Sequence, residues 1–306
     1  MSPTRVQANL SFRFRRLLSG DPNGVPPWLA VVAEGNDPGY FLPTDAPWVV
    51  HGGFGTLVGG IRALLVQALH PGTLRGVMDH SRYAQDPLGR LSGTIRWLTV
   101  TTFASQRAVA IEAQRVNRMH KRVVGTYAAS DGTDVPYRAA DEDLLLWVHI
   151  AFMESFLVAH QMYCAESIPA GTAPTGADNY ISQWSVAVAP LGLATCPMTQ
   201  DSLDAEIAAF IERGVLRCDE RTKQVVAFLR RPPLPGATKI AYRLLFAAAV
   251  TSLRPEYRKL LGLRATPRWI IVPVTRAALR LIKLAVGPES PVEQAARDRL
   301  ARAGVL

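Results

Sequence analysis

Residues 141–163 read DEDLLLWVHIAFMESFLVAHQMY, and their pattern decides the class of fold. Asp141, Glu142 and Asp143 put negative charge where the open N–H groups of a helix start favour it. Leu145, His149, Phe152, Phe156, Ala159 and Tyr163 then recur at helical spacing. Most of the remaining positions are apolar as well. A helix that is apolar nearly all round must be covered on every side. The stretch therefore reads as the buried central helix of a larger helical assembly.

Outward from it the same period returns. Ile61, Leu64, Leu65 and Ala68 form one face, which Pro71-Gly72 is expected to end. Pro87 behind Asp86 suits a first helical turn, and the pattern continues through Leu91, Ile95, Leu98 and Thr102. Residues 105–124 carry a stripe of Val109, Ala113, Val116, His120 and Val123, with Gly125 as the expected stop. Asp131-Gly132 and Pro136 mark a loop. Past Pro169–Asn179, which reads as loop, helices are expected near Tyr180–Val188, from Asp201 or Ser202 to Glu212, over Ile240–Leu253 and over Pro255–Leu261. Val274–Val286 reads as a basic amphipathic helix. Strand signals are scarce, and Ile270-Ile271-Val272 is too short to change the class. The fold expected is all-α: a single multi-helix globular domain. Residues 1–45 read as an irregular N-terminal arm, 46–265 as the helical domain, and 266–306 as basic amphipathic helices packed on the domain or on a membrane surface.

Composition narrows the function. A chain of 306 residues with 48% hydrophobic and 19% charged residues can bury a large core and is not a disordered chain. The net charge is +9, with cations at Arg13–Arg16, Arg118–Arg122, Arg230-Arg231 and along the last fifty residues. No RNA-binding, zinc-finger or OB-type signature accompanies them, so nucleic acid is not an expected partner. A solvated surface is the bland reading, and attraction to an anionic membrane surface the specific one. Cys164, Cys196 and Cys218 form no CxxC and no CxxCH, which argues against a zinc ribbon and a covalent c-type haem and suits a reducing compartment. Met1–Gly20 is basic but lacks the apolar run of a secretory signal. Leu144–Val148 and Leu244–Val250, the longest apolar runs, are well short of the ~20 residues that span a bilayer. A cytoplasmic protein, peripheral at most to the inner face of the membrane, is expected.

Six histidines are present: His51, His70, His80, His120, His149 and His160. His120 and His149 sit on inward helical stripes. A lone imidazole on an apolar face is ordinarily a satisfied core residue. It is also what a haem iron requires, a neutral nitrogen held from one side. Spacing alone leaves both readings open. No HExxH, no paired Glu-x-x-His and no two-His-one-carboxylate spacing occurs within one segment, which argues against a zincin or a di-iron bundle. GxSxG is absent too. Gly52-Gly53-Phe54-Gly55 and Gly59-Gly60 follow no strand, and no GK[ST] or GxGxxG follows them. They read as close helix approach, not a phosphate cradle. Arg90, Thr94, Trp97 and Thr101 share a helix face that either holds an anion or faces solvent.

Taken in order, several segments resemble one family. Gly60–Gly72 (GIRALLVQALHPG) is similar to its opening signature. Asp79–Tyr83 (DHSRY) and Asp86–Thr94 (DPLGRLSGT) resemble its second block, and Val116–Gly125 (VNRMHKRVVG) its H-x-x-V-x-G block. Tyr137–Ala139 with Leu145–His149 (LLWVH) is similar to its Y-x-A…W-V-H block, and Leu253–Leu263 to a late motif. The five blocks cover roughly residues 45–265. The family is that of the MpaB and latex-clearing-protein-like rubber oxygenases.

The resemblance implies an all-α fold around a buried, non-covalent haem b (iron protoporphyrin IX) and oxidative cleavage of an isoprenoid double bond by dioxygen. It implies that His120 is the proximal iron ligand and the metal-binding residue. It places Arg90 and Thr94 on the distal side as catalytic residues. His149 would support the haem pocket, and Arg118 and Arg122 are candidates to pair with the propionates. Partners would be a small apolar substrate, isoprenoid or terpenoid, and dioxygen, held in a pocket lined from the Leu145, Phe152 and Phe156 side. Two positions depart from the rubber oxygenases. Gly93 stands where they carry a lysine, and Val124 where they carry an arginine. Rubber itself is therefore not the expected substrate. The alternatives are a non-catalytic haem-binding sensor or carrier and a haem-free helical lipid-binding module.

Overall fold

The computed structural model describes residues 26–80, 87–129, 131–234, 236, 238–287 and 289–306, with backbone alone at 80, 87–92 and 286. Along these residues run α1 (Leu29–Ala33), α2 (Ala46–Gly52), α3 (Thr56–Gln67), α4 (Pro71–His80), α5 (Pro87–Phe103) and α6 (Gln106–His120). Strands β1 (Val124–Ala128) and β2 (Asp134–Arg138) follow, then α7 (Glu142–Tyr163), α8 (Gly176–Trp184) and two 3-10 turns, Ser185–Ala187 and Ala189–Leu191. Last come α9 (Gln200–Glu212), α10 (Glu220–Arg230), α11 (Thr238–Ser252), α12 (Pro255–Leu261), α13 (Arg268–Val286) and α14 (Pro291–Arg302). The class is all-α, as the sequence predicts.

α7 is the centre. Of its 22 residues 14 are buried, so neighbours cover it nearly all round. It is long and apolar enough to cross a bilayer, yet 72% of its most apolar window is buried inside the fold. α3 lies closest to it, and glycine makes the approach possible. A Cβ on Gly59 would stand 2.7 Å from the Phe156 ring and 3.2 Å from the Phe156 Cα. Arg62 and Glu154 cross this dry interface as an ion pair at 2.9 Å. Arg254 continues the pair from Glu154 to Asp204.

A second core closes around the corner between α5 and α6. Trp28 and Val32 from the α1 segment, Trp48 from α2, and Val292, Ala296 and Leu300 from α14 pack there against Val100, Phe103 and Val109. Arg299 of α14 is fully buried and donates to the Phe103 carbonyl at 3.0 Å and to the Asp37 carbonyl. It thus satisfies acceptors that the end of α5 leaves open. The segment read from sequence as an irregular arm includes α1, and Trp28 and Phe41 from it are core residues.

Several boundaries differ from the sequence reading. Pro71 opens α4 as well as following α3, which suits its missing N–H. α6 ends at His120, and Gly125 lies within β1 opposite Tyr137, not at a helix stop. A side chain at Gly125 would meet the Tyr137 ring at 3.0 Å. The expected loop is the tip of an antiparallel hairpin, turned by Gly132 at φ 86°. Pro136 fits in β2 because both strands of a two-stranded ribbon are edges. Thr199, rather than Asp201 or Ser202, caps α9 in a reciprocal bond with Ser202. Ile270–Val272 belongs to α13.

Candidate functional site

Three ties join the helices that carry the sequence-derived site residues. The first links α5 to α6. Arg96 Nε reaches Glu112 Oε2 at 2.9 Å, while Arg115 Nη2 holds Oε1 at 2.6 Å. Burial pushes the Glu112 carboxyl up, but the bonds and charges of Arg115 and Arg96 outweigh it and hold it below its ordinary value. Glu112, Val116 and His120 are four apart. Fixing Glu112 therefore fixes the rotation of the stripe that ends in His120.

The second tie links α6 to α7. Asn117, one turn before His120, donates from Nδ2 to the Pro190 carbonyl at 2.9 Å. From the other side, Leu145 packs against Val188 and Leu193. The end of α6 and the Leu145–His149 face of α7 thus border the same short segment.

The third tie links α5, α7 and α8 through His51 of α2. The Thr102 hydroxyl donates to the Leu98 carbonyl at 2.8 Å, so toward His51 Nδ1, also at 2.8 Å, it can only accept. His51 is therefore the Nδ1–H tautomer, and its Nε2 accepts from the Tyr180 hydroxyl at 2.8 Å. The rings of Trp184 and Phe156 sit edge-on at 4.4 and 5.4 Å. Burial, with a smaller contribution from nearby His160, lowers the His51 pKa to about 3.

Within this frame, His120 is half-buried at the last position of α6. Arg118 and Arg122 are exposed and line, with Arg115, Met119 and Val123, a cavity of about 440 Å³ beside it. His149 is buried, and its Nε2 has no hydrogen-bond partner. Burial lowers its pKa to about 4, so the ring is neutral near neutral pH. Thr94 is half-buried on α5. Leu98, four residues on, packs on the main core, and Thr101 is fully buried with an unpartnered hydroxyl. At Leu98 and Thr101 the helix therefore turns inward. Arg90 stands on the same face one turn earlier, and its side chain lies outside the described residues, as do Ser81–Asp86 of the second block. Among the departures, Val124 is 49% exposed at the start of β1, and a Cβ on Gly93 would meet nothing within 4 Å.

Phe156 is used in packing between Gly59 and His51 and does not line either of the two best-formed cavities. His70 is occupied as well. Its Nδ1 accepts from the Gly72 N–H at 3.1 Å, and its Nε2 donates to Asp143 at 3.3 Å, locking the α3–α4 corner to the start of α7. His51 was visible in the sequence, but no stripe assigned it. Its signal is a histidine on a short segment rich in Trp and Val, met by Tyr180 from 129 residues away. Among the described residues no three His, Cys, Asp or Glu side chains gather as a bare metal ion would need. A porphyrin iron asks the protein for one imidazole, and the donors here suit that. One neutral buried imidazole has an open nitrogen, one ends the helix whose Arg115 and Arg118 line a cationic pocket, and a buried hydroxyl is unpartnered.

No curated protein and no solved structure matches the chain. Residues 48–284 match the model of the family described as ER-bound oxygenase mpaB/B'/rubber oxygenase, catalytic domain. That span takes in α3 through α12 and every side chain of the three ties, and the chain belongs to this oxygenase catalytic-domain family.

Proposed function

We propose that the chain binds haem b non-covalently and uses dioxygen to oxidise an apolar substrate of isoprenoid or terpenoid type. The observation that carries this is the open Nε2 of His149, buried on a helix tied to those that bear His120 and Thr94. A buried imidazole nitrogen without a partner costs about 1–3 kcal/mol. A polar group brought in by a bound cofactor or substrate removes that cost.

In this reading His120, at the end of α6, would be the imidazole that holds the haem iron. Arg118 and Arg122, which line one cationic pocket with Arg115, would pair with the carboxylates of the haem. Bound haem supplies the activation of dioxygen. Thr94 of α5, and Arg90 one turn earlier on the same helix, would donate hydrogen bonds where negative charge develops, about 3–4 kcal/mol for each well-placed donor. The apolar side chains around α7 exclude water and hold the substrate.

The test is the absorbance spectrum of the protein expressed with a haem precursor. A Soret band in the wild type that collapses in His120→Ala is the expected result. A band unchanged in His120→Ala but lost in His149→Ala would show that the wrong imidazole has been assigned. No band in the wild type would overturn haem binding.

A further inference from the structure

α13 presents two faces, and only one is used by the fold. Ile271, Thr275 and Leu279 are buried at a spacing of four, and Ile282 continues that side against the core. At 100° per residue, the opposite side carries Trp269, Pro273, Leu284, Ala277, Ile270 and Leu281, with Val274 at its edge and Arg280 as the one charge among them. This outer side is mainly apolar. Trp269 is 79% exposed and Leu281 66%. Five of the thirteen large hydrophobic residues exposed among the described residues belong to this helix, so the patch is not scattered surface. Ile240 of α11, which packs beside α13, is another, at 73% exposed.

Charge selects the occupant. α13 has no acidic residue, while Arg276 and Arg280 are exposed on the same half of that side as Trp269, Arg276 also donating from Nε to the Met162 carbonyl at 2.9 Å. Lys239 and Arg243 stand exposed on α11. Lys283 is paired with Glu166 and does not count. An apolar stripe with a bulky indole, edged by guanidinium groups and free of carboxylates, fits the interface of an anionic bilayer. A second protein surface would need acidic groups ringing its own apolar patch. A neutral bilayer would leave the arginines without a role.

We propose that the outer face of α13, with the start of α11, docks the protein flat on an anionic phospholipid bilayer. Trp269, Ile270, Val274 and Leu281 enter the headgroup region, and Arg276 and Arg280 lie among the phosphates. This stands independently of the haem reading. It gives the domain a route to substrates dissolved in the membrane.

The experiment is sedimentation of the full chain with vesicles of phosphatidylcholine alone or mixed with phosphatidylglycerol. Binding to the mixed vesicles at low salt, weakening as salt is raised, is expected. Trp269→Glu with Leu281→Glu should lower the affinity at least about tenfold. Arg280→Gln should lower it roughly fivefold and flatten the salt dependence. Both variants change exposed side chains, and circular dichroism checks that they fold. Tryptophan fluorescence should be quenched by brominated lipid in the wild type and less so in Trp269→Ser. Wild-type protein that stays in the supernatant overturns the proposal, as does a double variant that binds as well as wild type. A dimer in ultracentrifugation that Trp269→Glu dissociates would assign the face to a second copy instead, and also overturns it.

Discussion

Arg62 Nη1 and Glu154 Oε2 stand 2.9 Å apart, with side-chain exposures of 0% and 2%. They join α3 to α7 at the tightest interface of the protein. Arg62 also donates to Ser155 Oγ at 2.8 Å and to the Ser252 carbonyl at 3.3 Å, and Arg254 holds the second Glu154 oxygen at 2.6 Å. Removing Glu154 strands Arg62 out of water, and removing Arg62 leaves the buried Glu154 carboxylate with Arg254 alone. Arg62→Met or Glu154→Leu should therefore each cost about 3–5 kcal/mol, measured by urea unfolding. The double variant should recover part of the sum. If the single losses simply add, the two side chains do not act as a pair.

Acid should destabilise the fold through its buried imidazoles before it reaches the carboxylates. The His51 and His149 pKa values are lowered from 6.5 to about 3 and about 4, chiefly by burial. The unfolded chain takes up protons below 6.5 while the folded one does not. Their contribution is thus complete above that value and is lost as pH falls toward the folded values. Between about pH 7 and pH 5, each should remove on the order of 2 kcal/mol. The Glu154 carboxyl is raised by burial but lowered more by Arg62 and Arg254, so its contribution fails only below the ordinary carboxylate range. His51→Phe should shrink the loss in the upper window, and urea midpoints at the two pH values measure it.

Arg90→Ala and Thr94→Val should keep the Soret band of the haem-loaded protein and lose oxygen-dependent turnover. A fall of roughly 10²–10³ in rate is expected for each donor removed. Oxygen uptake with an apolar alkene reads the effect. Unchanged uptake in both variants would remove α5 from the chemistry.

Gly93→Lys restores the side chain found in rubber oxygenases. An added Cβ there meets open space, and the position is inside a helix, where glycine costs about 1 kcal/mol relative to alanine. The variant should be at least as stable as wild type in thermal melting. A shifted Soret band in the haem-loaded variant would show that the new amine lies within reach of the bound haem.

The central part of this fold was legible because its rules are local. α7 could be read end to end, since charge at its start and an all-round apolar pattern need no knowledge of partners. The hairpin could not. Over five positions each, its strands bury only Tyr137 and otherwise alternate between exposed and half-buried residues, and they contain Gly125 and Pro136, which locally argue against a strand. The hairpin exists because Tyr137 covers Gly125 and because β1 leans on α4, neither of which is a sequence-local fact. The site divides in the same way. His120, His149 and Thr94 stood on stripes that could be drawn from spacing. The ties that position them, Glu112 to Arg96, Asn117 to Pro190 and His51 to Thr102, span from 16 to 73 residues and rest on polar side chains that spacing treats as surface.

Those ties have a mechanical consequence. Thr102 lies eight residues beyond Thr94, Glu112 eight before His120, and Phe156 seven beyond His149. At 1.5 Å per residue each anchor is therefore about 10–12 Å from the group it serves. Each helix end is a lever arm with its fulcrum at the tie. A rotation of about 5° at the fulcrum would swing the tip by roughly 1 Å, enough to spoil alignment between reacting groups. Wear at the fulcrum, by a substitution that touches neither cofactor nor substrate, would thus be read out at the far end as lost activity.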